Sequence, residues 1–188
     1  MNLSTRISLR SRLLGAALLL ACLPTLAAAE RLGFKGVELG SSLVAIASNP
    51  KYDCRVVATP IADKVCSLRT REKETIAGVQ IDSLFFFYDD SGLTGITINL
   101  PESHFQPVVS ALSEKFGTPS LKAEAVKNLK GAAYENRTYR WNRPEGSLQA
   151  ERYAGRIDKS VIRFVDETAV QRNQQRRALL AKNPRQDL

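Results

Sequence analysis

Hydrophobic positions change their spacing several times along this chain, and each spacing predicts a different element. The first apolar run, Leu13 to about Leu26, follows Arg6, Arg10 and Arg12 with no acid among them. Ala27-Ala28-Ala29 closes it ahead of Glu30. A positive front, an apolar middle and a small-residue end make the three-part plan of a cleavable secretory signal, residues 1–29. The run is shorter than the roughly 20 apolar residues a spanning helix needs, and Pro24 interrupts it.

Past Phe34 the spacing turns helical. Leu43, Ile46 and Ala47 share a face, Ser41 is placed to cap them, and Asn49-Pro50 stops the turn. Arg55 to Ala58 and Lys64 to Leu68 read as two strands joined by a turn at Pro60-Ile61-Ala62-Asp63. The strongest strand pattern is Ile81 to Tyr88, then Asp89-Asp90-Ser91-Gly92, then Leu93 to Leu100. The link carries turn residues, and its glycine tolerates positive φ. Ile96, Ile98 and Leu100 alternate with Gly95, Thr97 and Asn99, whereas Leu84 to Phe87 is apolar on both faces. That contrast predicts a central hairpin with its first strand covered on both sides.

A helix is predicted over Phe105 to Phe116. Phe105, Val109, Leu112 and Phe116 share a face with Val108 beside them, Pro107 sits in the first turn, and Gly117-Thr118-Pro119 ends the run. Ser120 to Gly131 is rich in lysine and alanine and reads as helix or loop. A second hairpin follows, Tyr134 to Trp141 and Ser147 to Tyr153 around Arg143-Pro144-Glu145-Gly146, and Ser160 to Val165 is a last strand. The sum is an α+β domain over residues 30–167: an antiparallel sheet of hairpins on two short helices. Residues 168–188 read as a basic polar tail, a frayed helix or disordered. The order also reads as a helix followed by antiparallel strands, twice over, with no sequence repeat to match.

Charge narrows the partners. The chain of 188 residues carries a formal +8. Three of its arginines belong to the signal, and Arg172, Arg176, Arg177, Lys182 and Arg185 stand against Asp187 in the tail. Glu30 to Glu167 is therefore close to neutral, without the basic stripe a nucleic-acid binder carries. No nucleic-acid partner is expected, and no second long apolar run predicts a transmembrane segment after cleavage.

Cysteine use agrees with export. Signal removal leaves Cys54 and Cys66, an even number for an oxidising compartment. A bridge between them would close a short loop and contribute about 3 kcal/mol. A Cys-x-x-Cys redox motif is absent. Cys22 opens another fate: Leu19-Leu20-Ala21-Cys22 resembles the lipobox of bacterial lipoproteins, with Leu20 where a smaller residue is usual.

Candidate chemistry is sparse. His104 is the one histidine, too few for a zinc site beside bridged cysteines. Asp89-Asp90 fits turn chemistry, and Glu102, Glu114 and Glu124 read as a wet side, although a carboxylate pair for hydrolysis stays open. No metal or other cofactor is predicted. The second hairpin interleaves Tyr134, Tyr139, Trp141 and Tyr153 with Arg137, Arg140, Arg143 and Arg152. These residue types dominate binding hot spots, so Arg137, Tyr139, Arg140, Trp141 and Arg143 are the candidate binding residues. The competing reading puts Tyr139 and Trp141 in the core with the arginines reaching outward.

Leu39-Gly40-Ser41-Ser42 before a short helix, the Cys54/Cys66 pair, and Phe116-Gly117-Thr118-Pro119 closing the second helix make an outline. It resembles small exported bacterial α+β domains, namely the β-lactamase-inhibitor-like fold and the outer-membrane assembly lipoproteins. The resemblance implies a protein that works by binding and carries over no site residues. The expectation is a periplasmic or secreted, non-catalytic domain that binds another envelope component, a protein. The alternatives are an envelope-assembly lipoprotein held through Cys22, or a carboxylate-dependent hydrolase of envelope material.

Overall fold

The computed structural model describes residues 30–59, 61–127 and 131–182; the expected signal segment with Cys22, and Arg185 and Asp187 of the tail, lie outside them. A minimal hairpin, β1 (Gly33–Phe34) and β2 (Val37–Glu38), leads into one helical turn, α1 (Val44–Ala47). The main sheet starts with β3 (Tyr52–Thr59) and β4 (Ala62–Leu68). A small hairpin, β5 (Thr75–Ile76) and β6 (Val79–Gln80), precedes β7 (Ser83–Asp89) and β8 (Gly92–Pro101). Helix α2 (Phe105–Phe116) is followed by β9 (Ser120–Lys127), β10 (Ala133–Arg143), β11 (Gly146–Glu151), β12 (Lys159–Val165) and α3 (Glu167–Lys182).

Eight strands form one antiparallel sheet in the order β3-β4-β7-β8-β12-β11-β10-β9. Each half is a four-stranded run preceded by a helix, α1 or α2, and the last strands of the halves meet where β8 pairs with β12. The fold is α+β, with Cys54 directly opposite Cys66 on β3 and β4 and bonded to it, Cα atoms 4.0 Å apart.

The core lies between one face of the sheet and α2. Leu84 and Phe86 of β7, Ile96 and Ile98 of β8, Ile162 and Phe164 of β12, and Leu148 of β11 meet Phe105, Val108, Val109, Leu112 and Phe116 of the helix. We call this the helix face. The opposite, open face carries Ser83, Thr97, Asn99, Gln149 and Arg163 at alternating positions. Strand β7 is buried only toward the helix face, at Leu84, Phe86 and Tyr88; Phe85 and Phe87 are half-buried on the open face, their ring centroids 6.4 Å apart. The expected double cover of this strand is therefore partial.

Two local expectations change and one is narrowed. Ser41 does not cap α1: Leu43 holds that position, without a side-chain bond. The Ser41 backbone is instead tied to the central hairpin, its carbonyl accepting from Leu93 N while Gly40 N donates to the Leu93 carbonyl. That contact needs Gly92, at φ 116°, because a Cβ there would lie 2.6 Å from the Gly40 carbonyl oxygen. Residues 120–127 form a strand, not a helix or loop, since eight consecutive pairs with β10 outweigh local helix preference. Of the two readings of the tail, helix or disorder, the described part is helical: α3 runs as far as Lys182 and is a third helix among the described residues. Asp166 starts it, its Oδ1 accepting from the backbone N–H groups of Thr168 and Ala169.

Candidate functional site

Alternation along β10 divides the predicted binding residues between the two faces. Tyr139 and Trp141 point to the helix face, in register with Ala150 and Leu148 of β11. Trp141 is 2% exposed, its Nε1 donates to the Gly117 carbonyl at 2.7 Å, and its ring stacks on Tyr139 at 6.5 Å. Tyr139 in turn meets Phe105 at 6.0 Å. Arg143 Nη2 donates to the Phe116 carbonyl at 2.6 Å. Trp141 and Arg143 join the end of α2 to the sheet and give its C-terminal carbonyls donors, while Tyr139 packs on the first residue of the helix. Arg140 lies on the open face and pairs at 2.6 Å with Glu167 of α3, whose Oε1 also accepts from Ser147 Oγ. Arg137 pairs with Glu135 and borders a cleft of about 280 Å³ with Glu102, Gln106 and Arg152.

A further concavity lies away from the residues singled out on β10. It is an open groove of about 650 Å³ on the open face, between β9–β11 and the 152–158 loop. Val126, Tyr153 and Ile157 give it an apolar lining, and Glu124, Glu151 and Asp158 bring carboxylates to it. Buried Asn136 anchors the loop, its Oδ1 accepting from Tyr153 N at 2.9 Å. Tyr153 is held from two sides, by Tyr134 edge-on at 6.1 Å and by the Arg152 guanidinium 4.8 Å above its ring.

Each groove carboxylate has a cation beside it. Glu124 pairs with Lys122 at 2.8 Å, Glu151 with Arg163 at 2.8 Å, and Asp158 with Arg156 at 2.8 Å. The hydrogen bond from Arg156 holds the Asp158 carboxyl below its ordinary value. The groove thus has an apolar floor rimmed by charges that already have partners.

Elsewhere, acids serve docking. Burial alone would raise the Asp89 carboxyl, but hydrogen bonds from Ser91 and Arg172 outweigh it and hold the group below its ordinary value. That direction is opposite to the one a general acid needs. Arg176 reaches Asp63 at 3.1 Å, so α3 spans from the end of β12 to the start of β4. His104 Nδ1 lies 3.1 Å from the Gln80 carbonyl oxygen. Among the described residues no group of three or more His, Cys, Asp or Glu side chains could hold a metal, and no helix is long and apolar enough to cross a membrane. No protein-family model, curated protein or solved structure matches the chain.

Proposed function

We propose that the protein is exported to the bacterial periplasm or beyond, loses residues 1–29, and acts without catalysis by binding another envelope protein. The observation that carries this reading is the groove over β9–β11, an apolar lining of Val126, Tyr153 and Ile157 rimmed by charges already in pairs. An extended segment of a partner could cover the apolar floor while its charged side chains exchange with the rim pairs at little net cost. The α+β outline, with its disulfide, supports the same reading through its resemblance to exported binding domains. The aromatic residues of β10 are left out of the contact surface, because Trp141 and Tyr139 fill the core.

Two measurements test it. Mass spectrometry of the protein purified from cells should find a free Glu30 terminus; a lipid-bearing Cys22 terminus overturns release in favour of anchoring. A Val126→Asp/Ile157→Asp double variant should fold and lose one defined envelope protein that the native domain retains in cross-linking from periplasmic extract. If it keeps every partner, the groove is not the contact surface. Trp141→Ala is the contrasting variant: it should lose about 3–5 kcal/mol of stability through the cavity it leaves.

A further inference from the structure

We propose that two copies of this chain pair through β9, the two strands running antiparallel about a two-fold axis at Ala123. The edge itself makes the first part of the case. β9 ends the sheet, and among the described residues no strand pairs with its outer side. Its register with β10 runs unbroken through eight pairs, from Ser120 opposite Arg140 to Lys127 opposite Ala133. An edge so regular presents a straight row of backbone donors and acceptors. Natural sheets blunt such edges with bulges, prolines or charged side chains. The central charges of β9, Lys122 and Glu124, are of opposite sign and so complement a second copy. The opposite edge is blunted: β3 slips register between Val56 and Thr59. β9 has no register slip, and no proline interrupts Ser120–Lys127.

The sequence of β9 then selects the occupant. Placing Ala123 opposite Ala123 of a second copy sets Lys122 opposite Glu124 twice, Leu121 opposite Ala125 and Ser120 opposite Val126. The neighbouring two-fold registers set Lys122 against Lys122 or Glu124 against Glu124, which like charge disfavours. Lys122 and Glu124 already attract one another within one strand, 2.8 Å apart on the open face, so both are aimed for exchange across the axis. On the helix face Leu121 is 56% exposed, opposite Tyr139 and beyond its cover. The partner's Ala125 would lie across from it and continue the apolar row. Two sheets would become one continuous sheet, and neither copy would keep an open β9 edge. This pairing does not depend on the envelope partner proposed above.

Oligomeric state tests the idea directly. Sedimentation of the mature domain across a concentration series should show a monomer–dimer equilibrium; a monomer mass at every concentration up to about 1 mM overturns the proposal. Lys122→Glu should weaken the dimer by about tenfold or more, as should Glu124→Lys, because each creates two like-charge pairs. The double exchange Lys122→Glu/Glu124→Lys should restore it; equal dimerisation by all four proteins overturns the register. Ala123→Cys should cross-link under mild oxidation, since opposed Cα atoms in antiparallel strands lie within disulfide reach. Ala125→Cys places its two sulfurs on residues roughly 13 Å apart along the strand and should not. The reverse pattern also overturns the pairing.

Discussion

At the scale of single residues, Tyr88 shows how burial is converted into a pH response. Its ring lies on the helix face of β7, 2% exposed, and its hydroxyl has no hydrogen-bond partner among the described residues. Burial pushes its pKa from 10.0 up to about 12, because the phenolate would lose its hydration. The unfolded chain therefore releases this proton near pH 10 while the folded chain keeps it. Below pH 10 both states are protonated and the group adds no slope; from pH 10 to about 12 stability falls as pH rises. Tyr88→Phe should flatten that decline in urea-unfolding curves recorded from pH 7 to 11. At pH 7 it should match the native protein or gain about 1 kcal/mol, since an unpartnered polar atom is removed. Tyr52, raised by burial and by Glu74, contributes in the same direction to both proteins and so cancels in the comparison. A marked loss of stability at pH 7 would mean that the Tyr88 hydroxyl is bonded in the folded state.

Among the elements, α3 depends least on a greasy stripe and most on polar attachment. Among the described side chains Ala169 is the buried one; polar contacts include Glu167 with Arg140 and Ser147, Arg172 with Asp89 and Ser91, Asn173 with the Ile61 carbonyl, and Arg176 with Asp63. Asp166 holds both ends of this arrangement, capping Thr168 and Ala169 while its own N–H donates to the Thr94 carbonyl. Asp166→Ala should cost about 1 kcal/mol and speed amide exchange through α3 with the main sheet unchanged; uniform exchange across the whole domain would place the cap in the global fold instead. Such helices are hard to read from sequence, because their attachments are long-range ion pairs rather than a 3.6-residue apolar period. Helix α2 is the opposite case: Phe105, Val108, Val109, Leu112 and Phe116 all face the core, and that spacing is visible in the chain. β9 was missed for a third reason: Leu121, Ala123 and Ala125 do alternate with Lys122 and Glu124, but alanine, lysine and glutamate favour helix and every residue from Ser120 to Ala125 is exposed, so no buried face singles out the strand. Aromatic and arginine content singled out β10, and the alternation that sends Tyr139 and Trp141 inward is the same whether they bind or pack; that α2 lies above them is not visible in the strand pattern.

For the molecule as a whole, the sheet reads the same from either edge: a helix and four strands, then a helix and four strands, meeting at β8 and β12. The halves differ at their outer strands. The first half fixes its edge with a covalent bridge and a register slip in β3, while the second leaves β9 straight and exposed. Most of the fully buried side chains, among them Phe86, Leu84, Ile96, Ile98, Ile162 and Phe164, sit on the strands nearest the seam or beside it; the bridge adjoins this core on one side, where buried Cys66 lies directly opposite Phe86. The bridge acts on the outer pair β3 and β4, while most of the core lies on β7, β8, β12 and β11 beyond it. Cys54→Ser should lower the unfolding free energy by about 3 kcal/mol through the freer unfolded chain. The sheet should persist, because β4 remains paired with β7 through Lys64 to Ser67 whatever happens at β3. Chemical unfolding followed by circular dichroism gives the free energy, and amide exchange shows where it is lost. Faster exchange confined to β3 and β4 is the expected result, and a variant with no folded baseline would make the bridge a condition of folding rather than a reinforcement of one edge.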